Sequence, residues 1–215
     1  VESICKKYPE KYWLELDKAQ SYPTEFVKSM TESGHLNALI PTKYGGAGLS
    51  LFIAARILEK IHQSGCNAAA AHAQMYTMGS ILKYGSEAQK SKWLPLIAKG
   101  EVRLQAFGVS EPEAGTDTSS ISTTAIRKEN KYILNGQKIW TSRALHSDLM
   151  ILLAKTKSKN ERNSKSDGLS LFLIDIRESL GSGMTIRPIE TMINHSTTEV
   201  FFDNLEISPD NLIGK

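Results

Sequence analysis

At the centre of the second half of this chain stands Lys131-Tyr132-Ile133-Leu134-Asn135-Gly136-Gln137-Lys138-Ile139-Trp140. Two short runs with the apolar and polar alternation of β-strands lie on either side of Asn135-Gly136. Asn-Gly is the dipeptide that best tolerates a type I′ turn, because both central residues of that turn need positive φ. The stretch therefore predicts a β-hairpin with its turn at Asn135-Gly136.

Four further segments downstream predict short strands, because they are rich in β-branched and aromatic residues and are bounded by turn-forming residues. They are Asp148 to Ala154, Leu169 to Ile176, Thr185 to Ile189 and Glu199 to Asp203. No glycine-rich turn joins a strand to a helix here, so we expect no Rossmann-type nucleotide site. This half of the chain is predicted to be an antiparallel β-barrel or sandwich.

The first hundred residues predict helices that end at glycine. Apolar side chains three and four apart form one face in Pro23 to Ser33 and again in Ser50 to Gly65, where Ser50 is a suitable N-cap. An alanine-rich helix is predicted from Asn67 to about Tyr84. These periodic segments indicate an all-α beginning of the chain.

A fourth helix is predicted after Ser86, which has capping-box spacing with Gln89. Pro95 is expected to break or kink this helix, because proline lacks the backbone N–H. Beyond it the hydrophobic period changes from helical to alternating. We therefore predict an α+β chain with a helical N-terminal domain at 1–102 and a β domain at 103–215.

The composition excludes several functional classes. The 215 residues carry 26 basic and 23 acidic side chains, a net charge of +3, which is too small a surplus to indicate nucleic-acid binding. The locally basic segment 155–165 is interpreted as a solvated loop between strands. No apolar run reaches the roughly 18 residues of a membrane-spanning helix, so no membrane association is expected. Cys5 and Cys66 form neither a disulfide framework nor a metal motif.

The segment from Phe107 to Ser120 combines small residues, hydroxyls and acidic side chains directly after a predicted strand. Such a loop approaches a polar ligand closely and offers several backbone hydrogen bonds. A flavin edge or a pyrophosphate would suit it. An acidic Ser/Gly turn that only links two domains is the alternative, and the residues alone leave both open.

This segment resembles the signature of the acyl-CoA dehydrogenase family, in which a small residue, an aliphatic residue, Ser/Thr and Glu are followed by small-Gly-Ser/Thr-Asp. The matching residues are Gly108, Val109, Ser110, Glu111, Ala114, Gly115, Thr116, Asp117 and Ser120. The resemblance extends through nearly the whole chain, including Tyr44-Gly45-Gly46-Ala47-Gly48, Tyr84-Gly85, Asn135-Gly136-Gln137-Lys138, Trp140-Thr141-Ser142 and Glu199-Val200-Phe201-Phe202-Asp203-Asn204.

The resemblance implies FAD as the cofactor and places several residues around it. Backbone and hydroxyl groups of Phe107, Gly108, Val109 and Ser110 would meet the pyrimidine edge of the flavin. Thr116 is expected near an FAD phosphate or the CoA moiety of the substrate.

The triplet Trp140-Thr141-Ser142 is also assigned to the cofactor by this resemblance. Trp140 would pack on the flavin ring, and Ser142 would donate or accept a hydrogen bond near N5. Arg143, which follows the triplet, would meet a flavin phosphate or a polar acyl group, although a plain surface arginine is the simpler interpretation.

The implied reaction is α,β-dehydrogenation of an acyl-CoA thioester to the 2,3-enoyl-CoA. In the family the glutamate that removes the α-proton lies in a C-terminal helical domain, which residues 1–215 do not match. Glu111 is therefore not expected to be the base, and no catalytic residue is assigned to this chain. It is expected to be an inactive fragment by itself.

The resemblance further implies an electron-transferring flavoprotein as partner, a homo-oligomer of the complete protein, and a bacterial cytoplasm or mitochondrial matrix as location. Acyl-CoA oxidases and related flavin monooxygenases resemble the same middle domain, so they remain alternatives. A non-catalytic binding module is a third interpretation, for a chain that natively ends at Lys215.

Overall fold

The computed structural model describes residues 1–157, 161, 163, 164, 166–193 and 196–214. The basic segment predicted to form a loop lies partly outside the described residues, at 158–160, 162 and 165. Contacts divide the described chain into two compact units. The first contains 1–104 with the described residues of 191–195, and the second contains 105–190 with 196–214.

The first unit is helical. Its helices are α1 (Glu2–Cys5), α2 (Glu10–Lys18), α3 (Thr24–Glu32), α4 (Leu51–Gln63), α5 (Ala69–Tyr84) and α6 (Glu87–Lys99). The apolar stripe of α4 buries Ala54, Ile57 and Ile61, as its periodicity predicts. The N-cap Ser50 accepts a hydrogen bond from the backbone N–H of Ile53 at 3.4 Å. Local sequence signals thus set where this helix begins and which face it buries.

Helix α6 begins with the predicted capping box. The Ser86 N–H donates to Gln89 Oε1 at 3.0 Å, and the Gln89 N–H donates to Ser86 Oγ at 3.1 Å. The predicted break at Pro95 does not occur, because the helix continues through Pro95 to Lys99. It ends at Gly100, which adopts a left-handed conformation with φ of 76°.

The second unit contains a sheet of eight strands among the described residues. They are β1 (Leu104–Gly108), β2 (Thr124–Lys128), β3 (Lys131–Ser142), β4 (Leu149–Lys155), β5 (Leu169–Asp175), β6 (Met184–Pro188), β7 (Thr197–Ile207) and β8 (Leu212–Ile213), with a short helix α7 (Ile176–Ser179) after β5. The strand order is β6-β7-β3-β2-β4-β5-β8, and β1 pairs with β4. The pairing of β2 with β4 is parallel, and the other registers along this path are antiparallel. The predicted α+β fold with a largely antiparallel second half is confirmed, and the sheet is open at β6 and β8 rather than closed.

The predicted hairpin turn at Asn135-Gly136 is wrong. Strand β3 runs without interruption from Lys131 to Ser142 and pairs with β7 along its length. The hairpin lies earlier, where Lys128 pairs with Lys131 across a two-residue turn at 129–130.

Two long-range contacts explain the Asn-Gly pair inside the strand. A Cβ at Gly136 would lie 2.5 Å from Thr123 Oγ1, so only glycine permits the approach of the neighbouring chain segment. Asn135 Oδ1 accepts a hydrogen bond of 2.9 Å from the backbone N–H of Asn204, next to a shift in the β3–β7 register. The dipeptide marks an irregularity in a continuous strand.

Among the described residues, none of the helices has both the length and the apolar character that crossing a membrane requires.

Candidate functional site

Glu111 closes the loop that follows β1. Its carboxylate is buried and accepts hydrogen bonds from Lys138 Nζ at 2.7 Å, from the Thr123 N–H at 3.0 Å, and from both the N–H and the hydroxyl of Ser122. Its backbone N–H and carbonyl both pair with those of Ala114, at 3.0 and 3.1 Å. One side chain therefore ties together the start and the end of this loop.

Lys138 anchors the loop from the side of β3. Its side chain has no exposed surface, and Nζ donates to Glu111 and, at 3.0 Å, to the backbone carbonyl of Val109. A Cβ at Gly108 would lie 3.3 Å from Lys138 Cγ and 3.2 Å from Met150 Sδ. The lysine stem thus occupies space that any larger residue at 108 would need.

The Glu111 carboxylate of the Lys138–Glu111 pair is ionised at neutral pH. Burial alone would raise the pKa of Glu111, but hydrogen bonds from Lys138, Thr123 and Ser122 and the lysine charge outweigh it and lower the pKa to about 2. Burial lowers the pKa of Lys138, and the bonded carboxylate acts against that shift. A carboxylate that stays ionised and accepts four hydrogen bonds is a poor general base, and the expectation that Glu111 is not the base stays a prediction.

The Glu111 carboxylate should make folding stability depend on acid pH. Its pKa is about 2 in the folded chain against an ordinary 4.5, so its contribution is fully present above about pH 5 and is lost as pH falls toward 2. The shift corresponds to about 3 kcal/mol of unfolding free energy. Urea unfolding between about pH 6 and pH 2 measures it, and Glu111→Gln should show a shallower pH dependence. Identical slopes for both proteins would contradict this assignment.

Trp140 has an unusual conformation for a residue in a strand. Its φ is 59°, in the left-handed region, and 59% of the residue is exposed. The β3–β7 register shifts between Lys138 and Thr141, so Trp140 lies at this irregularity. The Ile139 N–H donates to the Ser110 carbonyl at 2.9 Å, which attaches the loop to β3 at the residue before Trp140. Strain and an exposed aromatic face at one position are typical of a ligand site.

The two residues after Trp140 differ in accessibility. Ser142 is half-buried, whereas Thr141 is buried and its carbonyl accepts a hydrogen bond of 2.7 Å from Thr198 Oγ1. The Thr141 hydroxyl has no hydrogen-bond partner among the described residues, and it is closed off from solvent. The side chain of Thr141 therefore does not share the exposed face of Trp140, and its assignment to a cofactor stays a prediction.

Arg143 is not the surface residue that the simpler interpretation expected. It is buried, with φ of 60° in the left-handed region, and its N–H donates to the Ser196 carbonyl at 2.8 Å. Trp140 and Arg143, both with left-handed backbone conformations, thus flank the buried Thr141 and the half-buried Ser142. This bend at the end of β3 is fixed by backbone contacts with β7 and its preceding residue.

The other predicted residues lie along the same loop. Phe107, Val109 and Ser110 are half-buried and Gly108 is buried, so the segment offers surface beside β3. Thr116 is exposed and precedes Asp117, whose carboxylate accepts hydrogen bonds from Ser119 and Ser120 and shapes the 3-10 turn at 118–120. The hydrogen bonds that hold the loop against β3 join 109–111 to 138–139, so they attach the first part of the loop to the strand, and Thr116 lies outside this attached part.

Lys138 is the site residue that the sequence analysis missed. Tyr132, Leu134 and Lys138 share one buried face of β3, so strand alternation alone would have placed this lysine inside the protein. The turn wrongly predicted at Asn135-Gly136 concealed this pattern. A turn there would interrupt the alternation of buried and exposed residues between Leu134 and Lys138. A lysine in the buried phase of a strand needs a buried partner, and Glu111 supplies it.

Comparison with known proteins identifies the family. The acyl-CoA dehydrogenase N-terminal domain matches residues 1–101, and the acyl-CoA dehydrogenase middle domain matches residues 106–205. The C-terminal domain of the family is not among these matches.

Curated relatives and solved structures agree. Glutaryl-CoA dehydrogenase of Desulfococcus multivorans is 35% identical over 206 residues, covering 93% of this chain and 51% of the relative. The mitochondrial short-chain specific acyl-CoA dehydrogenase of Rattus norvegicus is 30% identical, covering 100% and 52%. The crystal structure of acyl-CoA dehydrogenase from Geobacillus kaustophilus superposes with a TM-score of 0.90 at 29% identity, covering 100% of this chain and 56% of that one. The chain thus spans about half the length of the relatives it matches, and it belongs to the acyl-CoA dehydrogenase family of flavoprotein oxidoreductases.

Proposed function

We propose that this chain forms the flavin-facing part of an FAD-dependent acyl-CoA dehydrogenase, which converts an acyl-CoA to its 2,3-enoyl-CoA. The observation that carries the proposal is the attachment of the 109–111 loop to β3 directly beside the exposed Trp140. We keep residues 1–102 and 103–215 as the proposed limits of the helical and β domains.

The residues at this place fit a flavin. An indole with more than half of its residue surface exposed, held on a left-handed backbone, presents a flat apolar face, and the half-buried Ser142 and Ser110 provide hydroxyls on the neighbouring segments. A planar heteroaromatic ring with polar edges matches such a surface. Bound FAD would accept the hydride that leaves the β-carbon of the substrate.

The chain's own residues have defined tasks in this proposal. Trp140 covers one face of the ring and excludes water from it. Ser142 holds a hydrogen bond near N5, and Phe107, Gly108, Val109 and Ser110 line the pyrimidine edge, with Thr116 toward a phosphate or the CoA moiety. Thr141 contributes through its main chain, which sets the position of the backbone between Trp140 and Ser142. We propose that the α-proton is removed by a carboxylate in the part of the relatives that this chain does not match, and that an electron-transferring flavoprotein reoxidises the cofactor.

The proposal extends to assembly and location in the same terms. The complete protein is proposed to be a homo-oligomer in a bacterial cytoplasm or a mitochondrial matrix, and the similar proteins include one from a bacterium and one named as mitochondrial.

Anaerobic reduction of the FAD-loaded protein at its natural length tests the function. Acyl-CoAs from butyryl-CoA to palmitoyl-CoA are mixed with it, and we expect the visible flavin band to bleach with at least one of them and 2-enoyl-CoA to appear by mass spectrometry. Pivaloyl-CoA is the matched control, because it has no α-proton. Absence of bleaching with every acyl-CoA would refute the proposal.

Admission of oxygen to the reduced protein separates dehydrogenase from oxidase. Slow reoxidation that electron-transferring flavoprotein accelerates supports the dehydrogenase. Rapid reoxidation with stoichiometric hydrogen peroxide would instead assign the chain to the oxidase branch.

A further inference from the structure

The main chain of Val109 and Ser110 is held by β3 through both of its carbonyls. Lys138 Nζ donates to the Val109 carbonyl at 3.0 Å, and the Ile139 N–H donates to the Ser110 carbonyl at 2.9 Å. Both bonds are independent of the side chains at 109 and 110. The loop is therefore positioned by its backbone.

The first of these bonds sets the direction of one amide. The Val109 carbonyl and the Ser110 N–H belong to the same peptide unit, which is planar and trans. In that unit the N–H points opposite to the C=O, so a carbonyl turned toward Lys138 turns the Ser110 N–H away from it. Lys138 thereby aims a backbone donor out of the strand interior, on the segment that adjoins Trp140.

The charge of Lys138 is balanced where it lies. Glu111 Oε1 is 2.7 Å from Nζ, and both side chains are almost wholly removed from solvent. A balanced buried pair exerts a small field on its surroundings compared with a lone ammonium. The pair therefore acts on a neighbouring ligand by fixing the position of the loop backbone, and not through its charge.

We propose that Lys138, held by Glu111, is a positioning residue for the flavin, and that it acts by orienting the Ser110 N–H toward the polar edge of the ring. This inference rests on the proposed function. It makes Lys138 different from a residue that only stabilises the domain, because its removal should weaken FAD binding even where the protein remains folded.

Two charge-neutral double variants test it in the full-length protein. Glu111→Gln with Lys138→Met is neutral and has no donor for the Val109 carbonyl, whereas Glu111→Gln with Lys138→Gln is neutral and keeps an amide donor on a side chain that is one bond shorter than lysine. FAD is titrated into each apoprotein, well below the melting temperature of all variants, and binding is followed by quenching of flavin fluorescence. The visible absorption spectrum of bound flavin is a second readout.

Two controls separate positioning from stability. Lys131→Met removes an exposed lysine of the same strand, whose partner is Glu206. Leu205→Ala removes a buried side chain of β7 opposite Leu134, away from the loop, and lowers stability without touching Lys138. Both should bind FAD within about threefold of the unmodified protein.

We expect the methionine double variant to bind FAD about tenfold or more weakly, with a shifted visible band, and the glutamine double variant to recover part of that loss. Equal FAD affinity for the methionine variant and the unmodified protein would overturn the inference while leaving the proposed function intact. Equal weakening in the two double variants and in Leu205→Ala would also overturn it, because stability alone would then explain the loss. An unmodified protein that binds no FAD would overturn both.

Discussion

Replacing Gly46 with alanine should cost the helical unit about 4 kcal/mol or more of unfolding free energy. A Cβ at this position would lie 2.1 Å from the Ile40 carbonyl oxygen and 2.3 Å from Ile40 Cβ. Those atoms belong to the backbone or its first side-chain carbon, so they are not free to rotate away. The Ile40 carbonyl is also fixed by the Gly48 N–H at 2.8 Å.

Urea unfolding of the two proteins measures this effect, and Gly79→Ala is the matched control. Gly79 lies inside α5, and an added Cβ there has nothing within 4 Å. Alanine should therefore stabilise the helix at 79, by up to about 1 kcal/mol, since glycine is the poorer helix former. A Gly46→Ala protein within about 1 kcal/mol of the unmodified one would show that the 41–48 loop adjusts, contrary to this expectation.

The second large effect is expected for Lys138→Met, which leaves Glu111 as a buried carboxylate without its cation. Breaking one partner of a buried pair typically costs about 3 to 5 kcal/mol. The charge-neutral double variant with Glu111→Gln should recover much of that loss, because no uncompensated charge remains. The comparison uses urea midpoints at neutral pH.

Lys131→Met is the matched control for charge removal. It belongs to the same strand and pairs with Glu206, but both side chains are about half exposed. An exposed pair contributes about 1 kcal/mol or less. A loss at Lys138 no larger than that at Lys131 would mean that the buried pair is not essential to the fold.

The helices α3 to α6 were predictable because their signals are local, whereas α1 and α2 were not predicted. The apolar stripe and Ser50 cap of α4, and the capping box of α6, act within one helical turn, and the structure contains them where they were expected. The prediction of a break or kink at Pro95 was wrong about the break, because α6 continues through this residue. The tertiary setting of α6 outweighs the local cost of one missing hydrogen bond.

The strand error arose from contacts that no local pattern contains. Gly136 is required by the approach of Thr123, thirteen positions earlier, and Asn135 binds the backbone of Asn204 in β7. Locally, Asn-Gly with flanking alternation is the pattern of a type I′ hairpin. The chain instead uses the same two residues to accommodate a neighbour.

The candidate site was predictable in part. The motif residues from Phe107 to Ser110 and at Trp140 were found through resemblance, and the structure joins their two segments through the Ser110 carbonyl. The inward direction of Thr141 and the buried state of Arg143 were not predictable, because both follow from the left-handed bend at the end of β3. Which FAD atoms these residues meet stays a proposal, and FAD titration of the Lys138 variants tests its central contact.

The hydrogen bonds from β3 to the backbone of the 109–111 loop matter for protein engineering. Because Lys138 and Ile139 bind carbonyl groups, the loop's path does not depend on which side chains stand at Val109 and Ser110. A mutant library can therefore vary 109, 110 and the exposed residues at 112, 113 and 116, provided that Glu111 and Lys138 stay unchanged and that proline, which has no backbone N–H, is left out at 110. Such a library would vary the tuning of the cofactor or the choice of substrate while the backbone path of the loop stays the same.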